Sequence, residues 1–159
     1  MRITISGTIR TPHAEIRRLV EEGFDGVAAD DVEVHVKARG MVRRGRRLLP
    51  RGSGFSGRAY RGVPGIARVG PGVVFLVTMM VPASPDAPTA RRYPFSWRYA
   101  RARRAGPVEF ASWQEELFHL AAHEARHIHQ YRHGLPASEA DAEAWACGRL
   151  AERRAAQVG

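Results

Sequence analysis

The sequence predicts a single α+β domain, because strand-like and helix-like patterns occupy different parts of the chain. Short segments rich in β-branched residues fill much of the first half, with one helical pattern among them. Two long helical patterns, each preceded by a serine, fill the last third. The length of 159 residues suits one domain, and a hydrophobic content of 44% can form a core without disulfide bonds.

The first helix is predicted to begin at Thr11 and Pro12, a capping residue followed by proline at the first helical position. The apolar stripe that would face the core consists of Ile16, Leu19 and Val20. Gly23 marks the predicted end of this helix. A short strand at residues 2–5 precedes it.

The rest of residues 1–81 is predicted to contribute mainly strands. Valines alternate with polar residues at 32–36, which is typical of a half-buried strand. The remaining strand-like segments are residues 55–60, 63–69 and 73–81. The pair Pro71 and Gly72 marks a turn between the last two of these. Residues 37–57 are rich in Arg and Gly and predict a loop or a very basic hairpin.

A long connection and two helices follow the strands. Residues 82–111 begin with a stretch rich in Pro and Arg, which predicts an ordered surface loop or a lid. Ser112 and Glu115 have the S-x-x-E spacing of a capping box, which predicts a helix from position 113 to about 132. Ser138 is the predicted N-cap of a last helix, so the helical part would comprise the rest of the chain.

The formal net charge is +9, and 24 of the 25 basic residues are arginines. Arginine binds planar anions such as phosphate, so nucleic acid or another polyanion is a candidate partner. The favoured interpretation is that the arginines are solvated, since such a bias is also typical of GC-rich coding. Arginines cluster at 39–51 and at 91–104, where aromatic side chains that could stack on bases lie between them. The candidate polyanion contacts are Arg43, Arg44, Arg46 and Arg47.

Neither a membrane partner nor a disulfide is expected. The longest apolar stretch, residues 73–81, is far shorter than the roughly 20 residues that span a bilayer. The first residues lack an apolar run that could act as a secretory signal, so we expect a cytoplasmic protein. Cys147 is the only cysteine, which excludes a cysteine-based zinc finger, and we expect it to be a small buried apolar residue.

The candidate catalytic motif is HExxH, present as His123-Glu124-Ala125-Arg126-His127 within the first predicted C-terminal helix. Residues four apart on a helix differ by about 40° and 6 Å, so both imidazoles face one point in space. Two imidazoles and a third ligand hold Zn²⁺ and leave a fourth position for water. Glu124 would take a proton from this zinc-bound water and so act as the catalytic general base.

The third metal ligand must come from outside the motif. Glu139 is favoured, because the short connection before the last helix lets that helix fold back beside the first. His133 has the spacing of the third histidine in the metzincin pattern, but that pattern needs a glycine where this chain has Gln130. The remaining candidates are Glu143 and Asp141. Since Glu139 and Glu143 lie four apart, one could bind zinc while the other accepts the N–H of a ligating histidine.

Three further side chains are candidates for the second shell of the site or for transition-state stabilisation. His119 lies one helical turn before His123, where it could contact substrate, but a flanking hydrogen-bonded role is favoured. Tyr131 and His133 follow the motif and could donate hydrogen bonds to the tetrahedral intermediate.

HEARHIHQ followed by SEADAEAWA resembles the HExxH…E-x-x-A-[DN] arrangement of gluzincin-type zinc metallopeptidases. The resemblance covers about residues 112–150. It is strongest to small members of the group, the minigluzincins and the ImmA/IrrE-like peptidases. SprT-like proteases also share the HExxH motif. The resemblance implies that Glu139 is the third metal ligand. It also implies that Glu143, at a position where the family usually has Asp or Asn, supports a histidine. It also implies a twisted, mostly antiparallel sheet whose edge strand, for which 73–81 is the candidate, pairs with substrate backbone.

The sequence therefore predicts one zincin-like domain that hydrolyses polypeptides with Zn²⁺ as cofactor. The alternative is a nucleic-acid-binding module in which the zinc site is structural or inactive. A peptidase that stays inactive until a partner binds is a third hypothesis. No pattern in the chain indicates an oligomeric state.

Overall fold

A computed structural model describes residues 1–38, 41–44, 47–50, 55–65, 67–82, 92–93 and 108–158. The described residues form eight strands and three helices, which confirms the predicted α+β class. In chain order, the elements are β1 (Arg2–Ile5), α1 (His13–Phe24), β2 (Val32–Ala38), β3 (Met41–Arg44), β4 (Arg47–Pro50), β5 (Ser56–Tyr60), β6 (Phe75–Val81), β7 (Arg92–Tyr93), β8 (Val108–Glu109), α2 (Trp113–Arg132) and α3 (Glu139–Val158). Within these residues, no helix has the length and apolar character needed to cross a membrane.

The main sheet has four strands in the order β1-β2-β6-β5. β1 and β2 are parallel, as are β2 and β6, and only β5 runs antiparallel to its neighbour β6. The prediction of a twisted, mostly antiparallel sheet was therefore wrong in strand direction. The physical reason is the connectivity: α1 is a crossover between β1 and β2, and such a crossover returns the chain in the same direction.

The predicted edge strand at 73–81 corresponds to β6, which begins at Phe75 and lies inside the sheet between β2 and β5. Its side chains are mostly buried, as expected for a strand with a neighbour on each side. The edge nearest the C-terminal helices is β5 instead. The edge assignment was thus wrong, because an almost continuous apolar run is typical of a central strand.

The predicted strand at 63–69 was also wrong: its described residues, 63–65 and 67–69, have no strand structure. Gly62 has φ of 104°, and a turn closes from Ala67 N–H to the carbonyl of Pro64, so the chain bends away from the sheet here. The predicted turn at Pro71 and Gly72 is present, with φ of 76° at Gly72.

The basic segment forms a hairpin, one of its two predicted structures. β3 and β4 pair antiparallel, with Arg43 opposite Leu48 and Arg44 opposite Arg47. Arg46 lies outside the described residues, as does most of the predicted loop at 82–111. Within that loop, β7 and β8 form a second short antiparallel pair.

α1 has the predicted buried stripe but different ends. Pro12, not Thr11, occupies the N-cap, and no side chain caps the helix. Gly23 lies inside α1 instead of ending it. A Cβ at this glycine would lie 2.5 Å from the Cβ of Ala121 in α2, so the absence of a side chain lets the two helices cross closely.

α2 and α3 begin and end close to the predicted positions. Ser112 Oγ accepts a hydrogen bond from Glu115 N–H at 3.3 Å, which confirms half of the capping box. The Glu115 carboxylate instead accepts from the N–H of Ala111 at 2.7 Å. α2 ends before Gly134, whose φ of 64° reverses the chain toward α3. Ser138 caps α3 by accepting from the N–H of Asp141 at 3.2 Å.

α2 is the most enclosed helix, because it packs against α1, α3 and the edge strand β5. Its buried apolar side chains join those of α1 and of the parallel strands in one core. The histidines of the HExxH motif are buried on α2 as well. The fold therefore presents the motif to the space between α3 and β5.

Candidate metal centre

His123 and His127 lie one turn apart on α2 and direct their rings to the same point. Their Nε2 atoms are 3.2 Å apart, and both side chains are buried. This convergence follows from the helical spacing of the motif, as predicted.

Glu139, the first residue of α3, brings a carboxylate to the same point. Its Oε2 lies 3.2 Å from His123 Nε2, and its Oε1 lies 3.5 Å from His127 Nε2. The reversal at Gly134 and the cap at Ser138 set the start of α3 beside the motif. About half of the Glu139 side chain remains exposed, so the site opens to solvent on this side.

The three donor groups fit a tetrahedral zinc ion. Ligands that lie about 2.0–2.1 Å from the metal are separated from one another by about 3.3 Å in a tetrahedral site. The two Nε2 atoms are 3.2 Å apart, and they lie 3.2 and 3.5 Å from different oxygens of the Glu139 carboxylate, which is close to this requirement. Two imidazole nitrogens and one carboxylate oxygen also form a usual donor set for zinc and leave one coordination position open.

The charges at this point favour a cation. Hydrogen bonds with both histidines hold the pKa of Glu139 well below its usual range, so its carboxylate is ionised. Burial opposes the charged form of His123, but the carboxylates of Glu139 and Glu143 outweigh this effect and raise its pKa to about 10 in the chain alone. A cation between these groups would therefore replace protons that the carboxylates otherwise hold on the rings.

Gln130 fixes the orientation of His127, a role that the sequence analysis did not assign. Its Oε1 lies 2.8 Å from His127 Nδ1 and also accepts from the N–H of Ser138 at 3.2 Å. Because this oxygen is an acceptor, Nδ1 carries a ring proton, and Nε2 is the nitrogen that would bind a metal once it has released its own proton. The Gln130 amide also donates to Asp141 Oδ2 at 2.8 Å. The signal in the sequence was an amide three residues after His127, on the same helical face.

Glu143 lies beside the ring of His123. Its Oε2 is 3.4 Å from His123 Nδ1, and its Oε1 is 3.5 Å from His119 Nε2. Burial opposes ionisation of Glu143, but the two histidines outweigh it and lower its pKa to about 2. Neither His123 Nδ1 nor Glu143 Oε2 has a hydrogen-bond partner among the described residues, so support of this histidine by Glu143 stays a prediction.

Glu124 is buried between α2 and the edge strand β5. The backbone N–H of Ala59 is hydrogen-bonded to its carboxylate, and a Cβ at Gly57 would lie 2.5 Å from its Oε1. Its Oε2 is buried and has no hydrogen-bond partner among the described residues. Burial raises the pKa of this carboxyl above its usual value, despite the nearby histidines. The strand beside Glu124 is therefore β5, at Gly57 and Ala59.

The other candidate ligands lie outside this group. His133 is the C-cap of α2, and its ring centroid lies 4.4 Å from that of His129. Asp141 forms a two-point ion pair with Arg126, at 2.7 and 3.1 Å. Tyr131 stacks on His127 with ring centroids 6.2 Å apart. Hydrogen-bond donation from Tyr131 or His133 to a reaction intermediate stays a prediction.

The predicted polyanion contacts lie in a different part of the chain. Arg43, Arg44 and Arg47 belong to the hairpin β3–β4, and Arg46 lies outside the described residues. Comparison with protein-family models, curated proteins and solved structures gave no match for this chain. The interpretation of the site therefore depends on its own geometry.

Proposed function

We propose that the protein is a zinc-dependent metallopeptidase. The observation that carries this proposal is the convergence of two imidazole nitrogens, on the helix that also bears Glu124, with the two oxygens of the Glu139 carboxylate at the start of α3, at 3.2 to 3.5 Å. Glu124 is buried, and one of its oxygens has no partner among the described residues. A set of metal ligands and a general base are the two components that metal-assisted hydrolysis of a peptide bond requires.

His123, His127 and Glu139 would hold the ion. Bound Zn²⁺ would supply Lewis acidity, which lowers the pKa of a water molecule and polarises a carbonyl group. Gln130 keeps His127 in the tautomer that can bind a metal, and Glu143 is within reach of the Nδ1 proton of His123. Gln130 would thus fix the ring of His127 before any ion binds, and a small movement of Glu143 would do the same for His123.

Glu124 would move the protons of the reaction. Its carboxylate accepts a proton from the attacking water as the new C–O bond forms at the scissile carbonyl carbon. The same carboxyl then gives this proton to the leaving nitrogen as the C–N bond breaks, so the base is regenerated. Burial raises the pKa of this carboxyl above its usual value, which favours its uptake of a proton from the water.

The edge strand β5 supports an extended polypeptide as the substrate. Among the described residues, β5 pairs with β6 on one side and with no strand on the other. An extended peptide added at such an edge forms main-chain hydrogen bonds with the strand. Since Gly57 and Ala59 contact Glu124, this addition would place the peptide backbone beside the base.

The proposal is tested with Glu124→Gln, which keeps the size of the side chain but removes its basicity. The zinc-loaded protein should cleave a mixture of unstructured polypeptides, and the variant should lose at least about 100-fold in rate while it binds zinc normally. Glu152→Gln makes the same chemical change at an exposed position on α3 and should behave as the wild type.

Equal cleavage by Glu124→Gln and wild type would overturn the proposal. If zinc binds stoichiometrically but neither protein cleaves any polypeptide, the alternative of a module with a structural zinc site is favoured instead.

A further inference from the structure

A second convergence of ligand-type side chains lies one helical turn away from the first. His119 on α2 and two residues of α3, Glu143 and Cys147, bring one donor atom each to a common point. The sulfur of Cys147 is 3.8 Å from His119 Nε2 and 3.7 Å from Glu143 Oε1, and these last two atoms are 3.5 Å apart. The expectation that Cys147 is a buried apolar residue was wrong, because it is only partly buried and its neighbours are polar.

The repetition has a simple geometric origin. α2 and α3 run antiparallel, so a step of four residues backward on α2 matches a step of four residues forward on α3. Moving from His123 to His119 and from Glu139 to Glu143 shifts the whole arrangement by about one turn. Cys147 is one further turn along α3 and completes the second group.

The second group has the dimensions of a tetrahedral site with one sulfur ligand. With metal–sulfur distances of about 2.3 Å and metal–nitrogen or metal–oxygen distances of about 2.0–2.1 Å, the sulfur lies about 3.5 Å from each of the other donors. The measured distances of 3.7 and 3.8 Å exceed this value by a few tenths of an ångström. The nitrogen–oxygen distance of 3.5 Å is also close to the expected value of about 3.3 Å.

We propose that His119, Glu143 and Cys147 form a second cation site that binds a divalent, thiophilic metal such as Zn²⁺. A thiolate together with a carboxylate would neutralise the charge of such an ion, and imidazole completes a donor set typical of zinc. The ion would be accessible because Cys147 and Glu143 are only partly buried. This site does not depend on the proposed peptidase activity, since it uses neither Glu124 nor the three residues of the first centre.

The second site should bind more weakly than the first. The Cys147 sulfur lies a few tenths of an ångström farther from the other two donors than a tetrahedral ion requires, so these side chains must move closer together to bind one. Glu143 also links the two centres, because its other oxygen lies 3.4 Å from His123 Nδ1. The first equivalent of metal should therefore fill the His123 centre, and a second should follow at higher concentration.

Titration of the metal-free protein with Co²⁺, in the presence of a reductant that lacks thiols, tests this proposal. Cobalt bound to a thiolate gives a ligand-to-metal charge-transfer absorption that nitrogen and oxygen ligands do not give. The wild type should bind two equivalents, as counted by equilibrium dialysis, and the charge-transfer band should develop with the second. Cys147→Ser, which keeps the shape of the side chain but replaces its sulfur with oxygen, should bind one equivalent and show no band.

His127→Ala is the matched variant, because it removes a ligand of the first centre only. It should lose the tight equivalent but keep the charge-transfer band. A wild type that binds a single equivalent, or two without the band, overturns the proposal. Two equivalents bound by Cys147→Ser would also overturn it, because the second ion would then lie elsewhere. None of these outcomes depends on whether the protein cleaves peptides.

Discussion

The α2–α3 hairpin and the sheet differ in how their residues come together. In the hairpin, His123 and Glu139 are 16 residues apart in sequence, and helical spacing and one short turn suffice to join them. In the sheet, β2 and β6 pair across the segment that contains the hairpin β3–β4 and the strand β5. The proposed metal ligands belong to the first region, whereas the sheet contributes the strand that contacts the proposed base, Glu124. Metal binding and base positioning should therefore be separable by mutation.

The largest expected effect comes from removing a ligand in the hairpin region. His123→Ala should abolish binding of the tight zinc equivalent, as measured by elemental analysis after dialysis, and should abolish peptide cleavage with it. His129→Ala is the matched control, because His129 lies on the same helix but its ring contacts His133. A His123→Ala protein that keeps the tight equivalent would show that the ion binds elsewhere.

A substitution in the sheet should reduce peptide cleavage but leave metal binding intact. In Gly57→Ala, the new Cβ would lie 2.5 Å from Glu124 Oε1, so the carboxylate must move. We expect cleavage to fall by about 100-fold, because misplacing a catalytic group by about 1 Å has effects of this size. Zinc content should be unchanged.

Gly65→Ala is the control for this comparison, since nothing lies within 4 Å of a Cβ at that position. It should leave both activity and zinc content unchanged. If Gly57→Ala cleaved as fast as the wild type, the contact between β5 and the base would have no part in catalysis. If it lost zinc, the two regions would not be separable.

A smaller effect is expected from Gln130, which joins His127 to the start of α3. Gln130→Ala removes the acceptor at His127 Nδ1, and loss of such a partner lowers zinc affinity by about 10- to 100-fold. Competition with a chromophoric chelator measures this change. Gln114→Ala is the control on the same helix, because Gln114 bonds to Glu15 of α1 and lies away from the site. Equal zinc affinity for Gln130→Ala and wild type would contradict the proposed orienting role.

The same difference between the regions explains what the sequence could predict. The HExxH spacing, the serine caps and the reversal at Gly134 are local signals, so they located both histidines and favoured Glu139 as their partner. Strand direction and order depend on contacts between distant segments, which periodicity does not encode. The apolar run at 73–81 identified a strand, but its position at the edge was inferred from the resemblance and was wrong. Gly57 gave no signal, because its importance arises only from the packing of β5 against α2.

The smallest expected effect concerns the far end of the hairpin, where Glu115 of α2 pairs with Arg154 of α3. The hydrogen bond with Arg154 is the main reason that the pKa of Glu115 lies below its ordinary value of 4.5. A carboxyl with a lowered pKa in the folded state contributes stability that is fully present above its unfolded pKa and is lost as the pH falls through its folded pKa. The free energy of unfolding should therefore fall from about pH 4.5 downward.

Glu115→Gln should remove this contribution, at a cost of about 1 kcal/mol at neutral pH, and should flatten the pH dependence below about 4.5. Urea unfolding at neutral and acidic pH measures both effects. Glu22→Gln offers a comparison, because Glu22 is a more exposed partner of arginines and should change stability less. Zinc affinity should be the same in all three proteins at neutral pH, since Glu115 lies at the end of α2 remote from the motif. A change in zinc affinity with Glu115→Gln would show that the packing of α3 along its whole length sets the position of Glu139.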